Sequence, residues 1–271
     1  MADPLSLVAL GAAVGGAAGK FVEKAWDSGE KWITTYFLDY RPKAAEEAHK
    51  NASEFLVHLA NRVKQLEESG GVTAEQIENA QEQPDFAVAL QKAMLTAAQT
   101  SDGETHEILA RMLSERMREP PQSVKAMATK MALDIIGYLT PRQLKLLAFI
   151  ADLMHIGPQQ SLAADAFASW FERRMEPYKD LTFSPLDLSH LESLSCLKNL
   201  PIVSKDLSLV MNKKNYGVFD LEMMNLPIAR HVQDLWQKGI QSVDLTTVGQ
   251  LVGVFASDSL TGTNTNFGDW A

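Results

Sequence analysis

The sequence predicts a mainly α-helical protein in which a helical bundle is followed by a small α+β module of winged-helix type. Three observations support this. First, apolar residues recur at three- and four-residue steps. Second, Pro, Gly and capping residues divide these stretches into short helices. Third, the β-compatible stretches occur only after residue 200. The 271 residues are 46% hydrophobic and 22% charged, a composition typical of a globular protein. The chain is therefore long enough for one or two hydrophobic cores.

The predicted N-terminal segment, residues 1–71, begins with an uncharged stretch rich in Gly and Ala, Leu5–Gly19. As a helix, these ~15 residues would reach roughly 22 Å, which is shorter than the ~30 Å hydrocarbon core of a bilayer. We therefore expect that the stretch does not span a membrane alone. The residues before it, Met1–Pro4, lack the positive charge of a secretory signal, so we expect a cytoplasmic protein.

Gly11, Gly15 and Gly19 lie at four-residue spacing within this stretch. Glycines spaced in this way form one flat helix face that lets another backbone approach closely. Because each glycine weakens an isolated helix by ~0.8–1 kcal/mol relative to Ala, the segment needs a partner. Three interpretations stay open: packing in the protein's own core or an oligomer interface, insertion into a membrane, and a mobile terminus.

The next stretch, Phe21–Leu38, predicts an amphipathic helix with an aromatic stripe. Its polar side mixes acids and bases, whereas membrane-surface helices favour Lys and Arg, so core packing and a membrane interface both stay open. Pro42 then begins another helix, which Gly70-Gly71 ends. The predicted oligomer or membrane contacts are Gly11, Gly15, Gly19, Trp26, Trp32 and Tyr36.

Residues 72–157 predict a bundle of short amphipathic helices. Thr73 and Gln76 have the spacing of a capping box at the start of the first. The later helix starts are marked by Pro84-Asp85, Ser101-Asp102-Gly103, Pro120-Pro121 and Thr140-Pro141. Such short connections favour antiparallel neighbours.

Residues 158–256 predict the winged-helix module, and residues 257–271 a poorly ordered polar tail. The module begins with two helices, one near residues 162–175 and one starting at Ser184-Pro185. Predicted strands near Ile202–Met211 and Tyr216–Leu221 follow, and an apolar helix after Leu245 ends the module. This order of helices and short strands is typical of a winged helix.

Signatures of catalysis or metal binding are sparse. The six histidines show no HExxH or paired ligand spacing, and no serine lies in a GxSxG motif. Cys196 is the only cysteine, which excludes a disulfide scaffold or a cysteine-based zinc site and predicts a buried, inert thiol. Gly15–Lys20 lacks the GxxxxGK[ST] spacing of a phosphate loop. We therefore expect a non-enzymatic protein with no catalytic residue, cofactor or metal ion.

The charge balance disfavours nucleic acid as a partner. The chain has 25 Lys and Arg against 34 Asp and Glu, a formal charge of -9. The predicted recognition helix, Pro185–Asn199, carries only Lys198 as a full positive charge. The alternative function is a DNA-binding winged-helix regulator, whose contacts would be Lys213 and Lys214. We expect the module to contact protein instead.

Two stretches carry a family resemblance. The first runs from Pro84-Asp85-Phe86 through Glu107-Ile108-Leu109 to Leu139–Leu144, and the second comprises Asp244–Gly249 with Asp269-Trp270. Together they resemble helical proteins of the Abi-alpha type and related uncharacterised bacterial families, over roughly residues 73–271.

This resemblance implies a role in bacterial anti-phage defence and supplies no catalytic residue. The implied partner is a phage component or a companion defence protein. We further expect a homo-oligomer, with contact to the inner membrane through the N-terminal region left open as an alternative.

Overall fold

The computed structural model describes residues 14–200, 202–215 and 226–265, which contain twelve α-helices and one two-stranded sheet. The predicted mainly α fold is thus confirmed. The chain divides into two compact units, an N-terminal unit, Met1–Tyr138, and a C-terminal unit, Leu139–Ala271.

Helices make up the described part of the N-terminal unit. They are α1 (Gly16–Tyr36), α2 (Pro42–Glu68), α3 (Ala74–Glu82), α4 (Pro84–Ala98), α5 (Gly103–Arg116) and α6 (Val124–Ile135), with a 3-10 turn at Ile136–Tyr138. Their starts follow the predicted local signals. Thr73 and Gln76 form a capping box, and Asp102 accepts a hydrogen bond from the Thr105 backbone N–H at 3.1 Å.

Helix α5 lies at the centre of this unit. Every residue from Thr105 to Arg116 except Glu107 is buried. Helix α5 packs against α2, which also packs against α1 and α4. Fully burying an apolar side chain such as Phe55 or Leu59 contributes roughly 1.5–3 kcal/mol. Because α1 and α2 share this core with the later helices, the predicted domain boundary at residues 71 and 72 is not a boundary of the structure.

The C-terminal unit combines helices with the sheet. Its elements are α7 (Pro141–Met154), α8 (Ala164–Met175), α9 (Pro185–Ser193), β1 (Leu197–Asn199), α10 (Leu207–Asn215), α11 (Pro227–Gln237), β2 (Val243–Leu245) and α12 (Thr247–Thr261). Strands β1 and β2 are antiparallel, with Leu197 opposite Leu245. Helices α7 and α12 pack so closely that a Cβ atom on Gly253 would lie 2.5 Å from the Leu147 carbonyl oxygen.

This packing corrects two further predicted boundaries. Helix α7 was expected in the bundle of residues 72–157, but it packs against α12 and so belongs to the C-terminal unit. Residues 257–261 of the expected tail are helical instead, because α12 continues to Thr261 and buries Ser257.

The predicted strand at Ile202–Met211 is wrong, because α10 begins at Leu207. Leu207 and Met211 are four residues apart and are both buried, as one face of a helix requires. The predicted strand at Tyr216–Leu221 lies outside the described residues. The winged-helix arrangement therefore stays a prediction.

Candidate functional site

The C-terminal unit contains an open pocket of about 1350 Å³. Its walls are the loop after α7, one face of α8 and the residues after α12. The polar and aromatic lining comprises the guanidinium groups of Arg173 and Arg174, the imidazole of His155, the amides of Gln159, Gln160 and Asn264, the hydroxyls of Ser169, Thr263 and Thr265, and the indole of Trp170. No acidic residue lines this pocket in the described part of the chain. We call it the α8 pocket.

Helix α8 gives the pocket its aromatic and basic wall. Ser169, Trp170 and Arg173 lie within one turn and so project from the same face. The Trp170 ring stacks on Phe167, with centroids 5.4 Å apart and planes 19° from parallel. The Arg173 Nε donates a hydrogen bond to the Ser169 carbonyl at 3.2 Å. These contacts position an indole and a guanidinium side by side.

Arg174 connects the pocket wall to a buried polar cluster. Its Nη2 donates to Asp152 Oδ1 at 2.6 Å and to Ser257 Oγ at 2.7 Å. Ser257 Oγ donates to Asp152 Oδ1 at 2.6 Å, and the Tyr178 hydroxyl donates to Asp152 Oδ2 at 2.6 Å. The buried charges are therefore paired and hydrogen-bonded, as their desolvation requires.

The same burial displaces two pKa values. Desolvation raises the pKa of Asp152, although the neighbouring Arg174 opposes the shift. Burial and the nearby Asp152 carboxyl raise the pKa of the Tyr178 hydroxyl well above its usual range. Tyr178 consequently keeps its proton near neutral pH and continues to donate to Asp152.

Two residues at the end of α10 hold the loop that forms one pocket wall. Lys214 Nζ donates to the Asp152 carbonyl at 3.0 Å and to the Ile156 carbonyl. The Asn215 side chain accepts from the Leu162 N–H at 2.8 Å and donates to the Leu162 carbonyl at 3.0 Å. Burial lowers the pKa of Lys214 to about 7, with Asp152 acting in the opposite direction. Both ends of the loop are thus fixed by side chains of one helix.

The predicted glycine face is not formed at Gly15. Gly11 lies outside the described residues, and Gly15 is the N-cap of α1, with φ +67° and no atom within 4 Å of an added Cβ. The Glu67 carboxylate instead accepts hydrogen bonds from the Ala17 and Ala18 N–H groups, both at 3.2 Å. Gly15 thus precedes the first residue of α1, and its carbonyl accepts a hydrogen bond from the N–H of Gly19, which is buried within the helix.

The predicted aromatic contacts lie in different environments. Trp26 is buried in the core of the N-terminal unit, and Trp32 is half-buried beside a pocket bounded by α1, α3 and α4. Tyr36 is 51% exposed, and its ring lies edge-on to Phe37 at 5.0 Å. Of the three, Tyr36 therefore presents the largest fraction of its surface to a partner.

The predicted nucleic-acid contacts also differ from each other. Lys213 is exposed, whereas the Lys214 ammonium is occupied by two backbone carbonyls. The assignment of Lys214 as a phosphate contact is therefore wrong. Cys196 is buried, and desolvation raises the pKa of its thiol to about 12. This confirms the buried position expected from the sequence and makes the thiol a poor nucleophile.

The sequence interpretation missed the α8 pocket. A local signal existed, because Trp170, Arg173 and Arg174 are spaced to share part of one helix surface. The described ranges hold no group of three or more His, Cys, Asp or Glu residues that could bind a metal ion. Among the helices in these ranges, none has both the length and the apolar composition needed to cross a bilayer.

Comparison with known proteins identifies a family for this chain. A family model matches residues 19–225, more than half of the chain, and the chain belongs to that family. The function of the family is unknown. No curated protein and no solved structure matches the chain.

Proposed function

We propose that the protein is a non-enzymatic recognition protein that binds an acidic, aromatic-containing segment of a partner protein in the α8 pocket. The observation that carries this proposal is the lining itself. Arg173 and Arg174 flank the pocket beside Trp170, and no acidic residue lines it in the described ranges, although the whole chain has a charge of -9. A locally basic pocket in an acidic protein selects anionic partners.

The size of the pocket favours a peptide segment over a small molecule. Its volume of about 1350 Å³ exceeds the roughly 300–1,000 Å³ of typical small-molecule sites. Side-chain amides of Gln159, Gln160 and Asn264 supply donors and acceptors for a peptide backbone. The Trp170 indole offers the kind of surface that anchors protein interfaces.

The arrangement of the buried polar groups favours recognition over chemistry. Asp152, Tyr178 and Ser257 are bonded to one another or to Arg174. Each of these groups therefore serves to hold the framework of the pocket. The exposed groups, such as Arg173 and Gln159, are suited to hydrogen bonding with a ligand.

The biological setting of this proposal is anti-phage defence, supported by the resemblance of residues 84–144 to Abi-alpha-type proteins. The partner is then a phage component or a companion defence protein. Self-association and peripheral contact with the inner membrane through residues 5–40 belong to the same proposal. Exposed aromatic side chains at Tyr36 and Tyr40 support an interaction at the end of α1.

Fluorescence anisotropy with the full-length protein tests the recognition step. The probe is a labelled acidic peptide containing one Trp, and its counterpart has every acid replaced by Lys. We expect only the acidic peptide to bind, and Arg173→Ala to weaken it about tenfold, because a charge-assisted hydrogen bond contributes ~1.5–3 kcal/mol. Arg230→Ala, at an exposed position on α11, is the matched control. Equal binding of both peptides, or an unchanged Kd for Arg173→Ala, would refute the proposal.

The defence setting needs its own test. Phage plating on a strain that carries the gene should show fewer plaques than on a strain without it. Protection should be lost with Trp170→Ala and retained with Arg230→Ala. If a Trp170→Ala protein expressed at wild-type level still protects, the pocket is not required for defence.

A further inference from the structure

An exposed row of large apolar side chains follows one side of α6 in the N-terminal unit. Val124, Met127 and Met131 lie at three- and four-residue steps on this helix, and Tyr138 follows in the 3-10 turn directly after it. Their exposed fractions are 77%, 45%, 51% and 68%, respectively. We call these four residues the α6 stripe. Large apolar side chains that are exposed together, and not singly, mark a surface that contacts another molecule.

The rest of α6 is fixed against the core of its own unit. Its buried face consists of Ala126, Ala128, Thr129, Ala132 and Leu133. At the start of the helix, the Ser123 hydroxyl accepts a hydrogen bond from the Ala126 N–H at 3.0 Å. Near its end, Lys92 of α4 forms an ion pair with Asp134. The α6 stripe therefore lies on the outer side of a helix that is already held in place, which lowers the cost of ordering it on binding.

The spacing of the α6 stripe suits contact with a second helix. Val124, Met131 and Tyr138 recur every seven residues, with Met127 three residues after the first, as in the a and d positions of a heptad. A helix that carries such a row buries it by packing along a partner helix with a row of the same kind. A second α6 meets this requirement.

The charges beside the α6 stripe fix the direction of such a pair. Lys130 and Asp134 are both exposed and, four residues apart, border the stripe on the same side. If two copies of α6 run antiparallel across a two-fold axis near Met131, Lys130 of each copy lies opposite Asp134 of the other. A parallel pair would instead place like charges opposite each other. The charge pattern is thus complementary to its own reversed copy, as a two-fold contact requires.

The ion pair of Asp134 within its own chain is compatible with this contact. Lys92 bonds Asp134 through Oδ1, and an ionised carboxylate accepts hydrogen bonds on both of its oxygens. The Asp134 side chain is 45% exposed, so the ammonium of a second copy can reach it.

We infer that the α6 stripe is the contact surface of an antiparallel homodimer. This inference goes beyond recognition in the α8 pocket, and the contact is separate from the one proposed for residues 5–40. A pair of short helices is smaller than the roughly 1,200–2,000 Å² of a standard stable interface. The dimer should therefore be weak, and its population should rise with protein concentration.

Sedimentation equilibrium of the full-length protein over a hundredfold concentration range tests the inference. The molar mass of the wild type should rise from monomer toward dimer. Met131→Glu places two like charges near the two-fold axis and should weaken association at least tenfold. Leu209→Glu, an equivalent change at a 62% exposed position on α10, is the matched control and should associate like the wild type. Both variants should bind the acidic peptide as the wild type does, which keeps this test independent of the α8 pocket.

Charge reversal tests the antiparallel direction. In Lys130→Glu the introduced carboxylate faces Asp134 of the other copy, and in Asp134→Lys the introduced ammonium faces Lys130. Each variant alone should associate more weakly than the wild type. An equimolar mixture should form heterodimers, because every facing pair then has opposite charges.

Three results would overturn the inference. A wild type that stays monomeric at every concentration would leave the α6 stripe to a different protein. A folded Met131→Glu protein that associates as strongly as the wild type would place the dimer contact elsewhere. A mixture of the two charge variants that associates no better than either variant alone would contradict the antiparallel pairing.

Discussion

Gly15 has a positive φ of +67° with ψ -177°, a backbone conformation that L-residues rarely adopt, immediately before α1. The sequence alone suggested that its small size mattered, since Gly11, Gly15 and Gly19 could have formed one helix face. In the structure no atom lies within 4 Å of a Cβ added at Gly15. The requirement for glycine is therefore one of backbone conformation, which residue spacing does not reveal.

Gly15→Ala and Gly15→Leu should consequently be equally destabilising. With φ +67° and ψ -177°, any L-residue costs ~1–3 kcal/mol here, and a Cβ atom at this position has no atom of the described residues within 4 Å. Urea unfolding measures both changes, with Gly103→Ala as a control position that has free space and no positive φ. A Leu variant several kcal/mol less stable than the Ala variant would instead support the packed glycine face.

Lys214 should make the unfolding free energy depend on pH. Its pKa is about 7 in the folded protein, below the usual 10.5, because burial disfavours the ammonium. Between these values the unfolded chain holds a proton that the folded chain has released, so stability rises with pH in this window. From pH 7 to pH 8, the free energy of unfolding of the wild type should therefore rise by about 1 kcal/mol more than that of Lys214→Met.

Unfolding titrations at several pH values measure this difference. Lys213→Met, at the adjacent exposed position, serves as the control and should keep the wild-type pH dependence. Parallel stability curves for the wild type and Lys214→Met between pH 7 and pH 9 would contradict the assignment.

Local sequence signals predicted where a helix starts but not which residues of a stretch become buried. Thr140 and Gln143 form a capping box at the start of α7, and a cap at Thr140 was predicted because the signal lies within four residues. The stretch near Ile202–Met211 was predicted as a strand because it contains several β-compatible residues. Its structure is set instead by which residues are buried: Ile202 is 97% exposed, while Leu207 and Met211 face the core. Burial of this kind depends on tertiary contacts that the local pattern lacks.

The close approach of α7 and α12 depends on Gly253. An added methyl group would lie 2.5 Å from the Leu147 carbonyl oxygen, so Gly253→Ala must push the two helices apart. Overpacking of this kind costs about 1–3 kcal/mol, which urea unfolding can measure. Gly29→Ala is an informative comparison, since its methyl group would meet the flexible end of the Met94 side chain and should cost less. Equal stability of Gly253→Ala and wild type would show that the two helices can separate freely.

At the scale of the whole molecule, the features that the sequence predicted involve residues close together in the chain, whereas the missed features involve residues far apart. The mainly α fold followed from local periodicity, and the start of α8 was predicted to within a few residues. The α8 pocket brings together His155, Trp170 and Asn264, which are far apart in the chain. Its buried support joins Asp152 to Ser257, 105 positions later. Such pairings have no signature in spacing, so the structure was needed to find the site.

The overall charge of the protein makes the α8 pocket testable by charge reversal. With a chain charge of -9, an anionic peptide gains attraction only from local basic groups, chiefly Arg173, because the Arg174 charge is already paired with Asp152. Arg173 is exposed and makes its own hydrogen bond only to the Ser169 carbonyl among those described, so its replacement should leave the fold intact. Arg174 is less suitable, because it supports the buried Asp152.

The most direct measurement is therefore the affinity of Arg173→Glu for the acidic peptide and for its lysine counterpart. If the pocket recognises acidic segments, the variant should bind the acidic peptide at least tenfold more weakly than the wild type does. It should also bind the lysine peptide more tightly than the wild type does. Arg230→Glu introduces the same charge change outside the pocket and should keep the wild-type preference. An Arg173→Glu protein that is folded and still prefers the acidic peptide as strongly as the wild type would contradict the central claim.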